Sequence, residues 1–526
     1  MKFSRDHLRF SAGLLLPVFL FYAGYTYNHA AGLEPTGFIQ YDNVGYAAYA
    51  RQYVQEEFHL LYANPFNDGP GYARIYFQTQ NIILAGLMQM GMDPGWALCL
   101  FSVLFSFFSF YVLLLLYDAL HPGAPFRTPT RVLLAWGGGL LVVAGALALP
   151  FVQNGEHILD RLFYLDPARG WWGLNFGRSL LFSLESYYHF LFFASLLLAW
   201  KGRWPAAAVV AFLLSFSHPF TGIHLLLVLS LWVFTGRLLA RQHDIPAWTL
   251  AAFPLLAALH VGYYLVYLPG FPDHRLVSTQ YALNWNYRWY HFGPAYAPVF
   301  ALFIGSVFLQ GRKAFLARPA NRLLLCLAFV SLLLSNHEWF LKPMQPIHFA
   351  RGYEWTAYFL MGVPALHLLF NKLRGKRWLY YAVIGLFLLD NGLWIGNNII
   401  SRADSPSTAY VTEEQRRVLQ IMDAASSPQT LVIGSGDLPY LATVYTRAYP
   451  WHSHPFTTPA YARKKAAFQA FIQNGRVDSS WRGRPAILLF HRSDSAEERR
   501  SRALPFPSGQ VLRTRNYKLV VTLIPR

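Results

Sequence analysis

Residues 97–117 read ALCLFSVLFSFFSFYVLLLLY, an apolar run without one charged side chain. A helix of this length, at about 1.5 Å per residue, reaches roughly 30 Å, the thickness of a bilayer's hydrocarbon. In lipid every backbone N–H and C=O must bond within the segment, so the run is read as a transmembrane helix. Comparable stretches lie near 10–27, 132–151, 180–200, 204–217, 219–236, 246–268, 294–310, 320–336, 354–371 and 378–399, for about eleven spans in all. Of the 526 residues 54% are hydrophobic and 13% charged, against about a quarter charged in soluble chains. The fold class is a polytopic α-helical membrane protein.

Charge orients it. Arg127 and Arg131, Lys201 and Arg203, Arg237 and Arg241, Arg312 and Lys313, and Lys372 and Arg374 fall in alternate loops, which marks those loops as cytoplasmic. The same bias explains a net charge of +18 without a nucleic-acid partner. The apolar run after MKFSRDHLRF is read as a retained signal anchor, with Tyr22, Tyr25 and Tyr27 as an interfacial belt. The N-terminus is then cytoplasmic. The odd number of spans puts residues 400–526 on the extracytoplasmic side of an inner (plasma) membrane.

Residues 76–92 carry Gln78, Gln80, Asn81 and Gln89 and are read as an interfacial or re-entrant helix. His218-Pro219 reads as a tight turn between two spans. Two domains follow: 1–399, multi-span with interfacial helices in the first outer loop 28–96, and 400–526, a small extracytoplasmic α/β domain. Within the latter QTLVIGSG and PAILLFH read as strands, YARKKAAFQAFIQNG as an amphipathic helix stopped by Gly475, and VLRTRNYKLVVTLI as a hairpin. GSGD at 434–437 is a tight turn, and the Gly137–Gly139 run permits close helix packing.

Candidate chemistry concentrates in the long outer loops, where function usually sits. Asp42 in QYDNVGYAAYARQ begins a helix that shows Tyr46, Tyr49 and Tyr53 on one face. It reads as an N-cap for that helix or as a general base at the bilayer surface, two roles that do not exclude each other. Glu156 and Asp160, four apart, are spaced to flank a substrate or bind a divalent cation; the alternative is a solvated face paired with Arg161. The loop NHEWFLKPMQPIHFARGYEW supplies Glu338, His348 and Arg351, and its arginine is suited to clamp a phosphate. His218 lies at the outer hairpin turn. Glu185 and His189 stand within a span and are read as facing the protein interior.

An acidic residue after the first span, an interfacial segment in a large outer loop, many spans and an outer soluble domain together resemble the membrane glycosyltransferases of the C fold. Protein O-mannosyltransferases and the aminoarabinose transferase share that plan. The resemblance rests on Asp42 in YDNVGYAAYARQ, the segment 76–92, Glu156 or Asp160, and Arg351 in QPIHFARGY. It implies a sugar donor carried on polyprenyl phosphate, with Asp42 as the base that deprotonates the acceptor. Arg351 and His348 would hold the departing phosphate, and Glu156, Asp160, His218 and Glu338 join them as candidate binding residues. The adjacent Asp-Glu pair of the O-mannosyltransferases is absent, since Asn43 follows Asp42, which argues against a protein acceptor over a glycan or lipid. A membrane transporter or flippase and a non-catalytic envelope-assembly subunit are the rival readings.

Overall fold

The computed structural model describes residues 5–55, 57–151, 158–281, 286, 288–401, 406–504 and 509–525. Among the described residues six helices are long and apolar enough to cross a membrane: Arg5–Tyr27, Pro94–Leu120, Pro219–Leu239, Thr249–Gly270, Trp289–Gln310 and Arg377–Ile400. A seventh crossing is available if the pair Arg127–Trp136 and Leu141–Phe151, bent by 58°, counts as one span. The other expected spans fall on the helices Glu185–Trp200, Trp204–Ser217, Pro319–Ser335 and Tyr353–Leu373, which are shorter or less apolar. Length and apolarity alone therefore support six or seven crossings among the described residues, against the eleven or so expected from the sequence. The chain is a mostly helical membrane protein.

Contacts divide the chain into two compact units. One comprises Met1–Gly24, Phe101–Tyr263 and Leu283–Ala403; the other comprises Tyr25–Leu100, Tyr264–Ala282 and Asp404–Arg526. The sequence-based boundary at 399/400 follows chain order, whereas the contacts group Tyr25–Leu100 and Tyr264–Ala282 with the C-terminal residues.

The first unit is helical and uses small and polar residues as its internal glue. Ser102 Oγ donates to the Ser183 carbonyl at 2.8 Å and Ser109 Oγ to that of Ser186 at 2.6 Å. The bend in the broken span falls on Gly137–Gly139, where side chains would collide with neighbours; a Cβ on Gly138 would lie 2.9 Å from Asp390 Cβ. The fully buried Asp390 closes the break chemically. Its Oδ2 accepts from the Gly139 and Leu141 N–H groups at 3.0 Å each, and its Oδ1 from Val142 N–H at 2.9 Å. The exposed N-terminus of the half-helix is thereby satisfied without water. Asp166, at the turn before Pro167, pairs with the fully buried Arg178, which also reaches Asn391 Oδ1 at 3.1 Å and lies over Trp394.

The second unit carries the strands. The short β1 (Leu33–Pro35) pairs antiparallel with β2 (Tyr410–Thr412). Five others form one sheet: β3 (Leu431–Gly434), β4 (Tyr449–Pro450), β5 (Pro485–His491), β6 (Gln510–Arg513) and β7 (Tyr517–Leu523), in the order β4-β3-β5-β7-β6. Strands β3, β4 and β5 run parallel, and the β6–β7 hairpin closes the sheet antiparallel. The core consists of Trp451, Phe468, Phe471, Trp481, Leu488 and Phe490 with their neighbours. The helix Tyr461–Asn474 ends on Gly475 at φ +74°, a left-handed cap that glycine adopts without strain. Segment 76–92 yields the eleven-residue helix Thr79–Gln89, too short to span.

Candidate functional site

Asp42 precedes the helix Asn43–Gln52 in the capping position, yet its side chain makes no capping bond. The capping expectation for its carboxylate is thus not met, and the reason is another residue. Tyr440, on the helix Leu438–Tyr445, places its hydroxyl between the two ends of that turn. The hydroxyl accepts from Gly45 N–H at 2.9 Å and donates to the Tyr41 carbonyl at 3.0 Å. The service is returned, because Arg51 Nη1 donates to the Val444 and Thr446 carbonyls at the other helix's C-terminus.

Relieved of capping, the Asp42 carboxylate is 65% exposed and turns to His454, whose Nε2 lies 2.8 Å from Oδ1. His454 is buried, with its ring against Tyr41, Phe66, Tyr440 and Phe456. Its Nδ1 accepts from Phe456 N–H at 3.2 Å, so the ring proton sits on Nε2 and is donated to Asp42. Burial, then the charge of Asp437, raises the Tyr41 phenol; burial, then Asp42, raises that of Tyr440. Both hold their protons at neutral pH. Beyond the pair runs a row of rings, Tyr49, Tyr53, Tyr62 and Tyr76, with Tyr76 Oη bonded to His274 Nδ1 at 3.1 Å.

Arg351 belongs to the first unit. Its guanidinium pairs with Glu185 and with His348 Nδ1 and lies 5.2 Å over the Trp172 ring. His348 packs edge-on to Trp172, stacks on Phe220 at 4.6 Å and stands 6.3 Å from the His218 ring. His218 caps the helix Pro219–Phe234, its Nδ1 accepting from Thr221 N–H at 3.2 Å, and stacks on Tyr188. His189 Nε2 lies 2.8 Å from the Arg351 carbonyl oxygen. Glu185 and His189 do face the protein interior, and what they face is Arg351. An incoming phosphate would have to share or displace the Glu185 carboxylate at this arginine.

Of the remaining candidates, Glu338 is not brought into either cluster. Glu338 sits on the short turn His337–Trp339 and has no ion pair among the described residues. Glu156 lies outside the described residues; Asp160 is on the helix Ile158–Leu162, with its side chain outside them too. Arg161, its proposed partner, donates to the Leu149 carbonyl at 2.6 Å. Among the described residues no group of three or more His, Cys, Asp or Glu side chains is arranged to hold a metal ion.

Sequence reading missed His454 and Tyr440. One signal was present. GSGD and WHSHPF follow directly on β3 and β4, at the carboxyl ends of parallel strands where α/β sheets commonly bind ligands.

No family model matches the chain, and no curated protein does. Among solved structures it is similar to ArnT from Cupriavidus metallidurans bound to undecaprenyl phosphate, at 12% identity and a TM-score of 0.47, over 97% of this chain and 98% of that one. It is also similar to the archaeal oligosaccharyltransferase AglB from Archaeoglobus fulgidus, in complex with an inhibitory peptide and a dolichol-phosphate. There the identity is 10% and the TM-score 0.48, over 86% of this chain and 65% of that one. The same archaeal enzyme tethered to an acceptor peptide gives 12% and 0.46, over 86% and 64%.

Proposed function

We propose that the chain is a membrane glycosyltransferase that moves a sugar from a polyprenyl-phosphate carrier to an acceptor on the extracytoplasmic face. The observation that carries this reading is the state of Asp42. A helix start normally consumes such a carboxylate, and here a tyrosine hydroxyl does that work. An exposed carboxylate with one oxygen held by a histidine N–H is suited to take a proton.

In the proposed step the acceptor hydroxyl oxygen attacks the anomeric carbon as its proton passes to Asp42. The bond from that carbon to the phosphate oxygen breaks, and its electron pair leaves with the isoprenyl phosphate. A single displacement inverts the centre. Phosphate is a good leaving group, so one base suffices where glycosidases need two carboxyl groups. Arg351, with His348 beside it, is assigned to the carrier's phosphate, as a planar donor fork flanked by aromatic rings. Asn43 stands where the O-mannosyltransferases have the second acid of their pair, which weighs against a protein among the glycan, lipid and protein acceptors open to this reading.

The test uses purified protein in detergent and a panel of undecaprenyl-phosphoryl hexoses, read as release of undecaprenyl phosphate. Asp42→Asn keeps the shape and cannot accept the proton. Release should fall by roughly 10²–10⁴-fold, the usual contribution of a general base, with carrier binding unchanged. Wild-type release by Asp42→Asn would remove this residue from the reaction.

A further inference from the structure

We infer that His454 is the positioning residue of the Asp42 carboxylate: a buried, neutral imidazole that binds one carboxylate oxygen and leaves the other for the acceptor's proton. The inference rests on Asp42 being the base. It is carried by three observations that concern His454 itself.

First, the tautomer is set from behind. Phe456 N–H occupies Nδ1 at 3.2 Å, so that nitrogen needs its lone pair and the proton resides on Nε2. Second, the ring cannot turn freely. Its side chain is only 5% exposed and is packed on Tyr41 at 5.2 Å and Tyr440 at 5.3 Å between ring centres. Third, the bond reaches Oδ1 alone, at 2.8 Å, and among the described residues no other hydrogen bond to this carboxylate is formed.

These facts divide the labour between the two groups. With Nδ1 occupied by a backbone N–H and Nε2 already protonated, His454 has no nitrogen with which to accept a proton, so it does not itself act as the base. What it does is fix the torsion of a carboxylate that is otherwise 65% exposed and, having no capping bond, would be free to rotate. Holding a reacting group in one geometry raises rate without altering the affinity for substrate. The partner is supplied from 412 residues away in sequence, by the loop that leaves strand β4.

Two measurements test this. The first is turnover of the same undecaprenyl-phosphoryl hexoses by wild type, His454→Phe, His454→Gln and Asp42→Asn. Phenylalanine keeps the packing and loses the N–H; glutamine can present an amide N–H near the position of Nε2. His454→Phe should lower kcat about tenfold with KM unchanged, the scale of one charge-assisted hydrogen bond, and His454→Gln should recover most of it. Equal losses in the two variants, or wild-type kcat in His454→Phe, would overturn the inference while Asp42→Asn still reported on the base. The second needs no turnover. In protein labelled with ¹⁵N-histidine, one Nε2–H resonance should carry the shift of a hydrogen bond to a carboxylate and lose it in Asp42→Ala. A spectrum unchanged by Asp42→Ala would mean that the pair does not form, whatever Asp42 does in the reaction.

Discussion

The carboxylate of Asp390, carried within the helix Arg377–Ser401, and that of Asp42 both lie at the N-terminus of a helix, and the fold treats them in opposite ways. Asp390, fully buried, gives both oxygens to three backbone N–H groups at the break of a bent span. Asp42 occupies a capping position and gives none, because the Tyr440 hydroxyl has taken its place. Position along a helix therefore does not tell what a carboxylate is for; the number of donors left for it does. A transporter reading would draw on the broken span and the acid beside it, yet both oxygens of Asp390 are engaged by the backbone.

The contrast can be broken first by stability. Asp390→Ala should strand three buried N–H groups and lower the stability by about 3 kcal/mol or more, read as thermal unfolding in detergent. Asp42→Ala should change it by no more than about 0.5 kcal/mol, as for an exposed surface residue. Equal losses would show Asp42 to be as structural as Asp390.

The arginines repeat the pattern. Arg178, with Asp166, Asn391 and Trp394, is sealed from solvent, whereas Arg351, with Glu185, His348 and Trp172, keeps 11% of its side chain exposed. Binding of undecaprenyl phosphate should weaken about tenfold in Arg351→Ala, and less in Arg351→Lys, which keeps charge and loses the fork. Glu185→Gln should tighten it, since the competing carboxylate is gone. Unchanged affinity in both Arg351→Ala and Glu185→Gln would place the carrier phosphate elsewhere.

A smaller effect sharpens the capping argument. Tyr440→Phe should cost about 1 kcal/mol, one hydrogen bond at a helix start. In that background Asp42 has a vacancy to fill, so Asp42→Ala should become destabilising where in the wild type it is nearly neutral. A double-mutant cycle with no coupling would refute the substitution of one cap for the other.

Asp68 offers the mildest case, a carboxylate spent on an ion pair. Burial alone would raise its pKa, but Lys464 at 3.2 Å, the Tyr72 hydroxyl at 2.7 Å and Arg484 outweigh it, and the net direction is down. A native carboxyl held below its unfolded value near ~4 adds stability above that pH and loses it as the pH falls further. The thermal midpoint should thus drop more steeply below about pH 4 in wild type than in Asp68→Asn, and parallel curves would contradict the pairing.

Much of this molecule is legible because its periodicities are local. Apolar runs marked the helices, including the turn at His218-Pro219, and alternation marked the hairpin that became β6 and β7. Arg351 and His348 are three residues apart, so their contact is nearly guaranteed by a helical turn. The Asp42 environment is different in kind. Tyr440 and His454 reach it across some four hundred residues, and no pattern in a window of fifteen can bring them together. Asp390 was hidden by the opposite effect, averaged into an apolar stretch whose hydropathy it barely lowers. The two compact units share that character, since contacts gather segments that chain order separates.

That gathering has a consequence for how the protein is made. Strand β1 ends at Pro35, and its partner β2 begins at Tyr410. At translation rates of about 5–20 residues per second, the early strand waits roughly twenty seconds to more than a minute for its mate. During that interval the ribosome delivers apolar helices one after another, while Asp42 lacks the imidazole and the phenol that later surround it. Until Tyr440 and His454 have been made, a chain still attached to the ribosome holds Asp42 in a setting unlike the finished one, and its carboxylate gains both neighbours only with the segment 438–454.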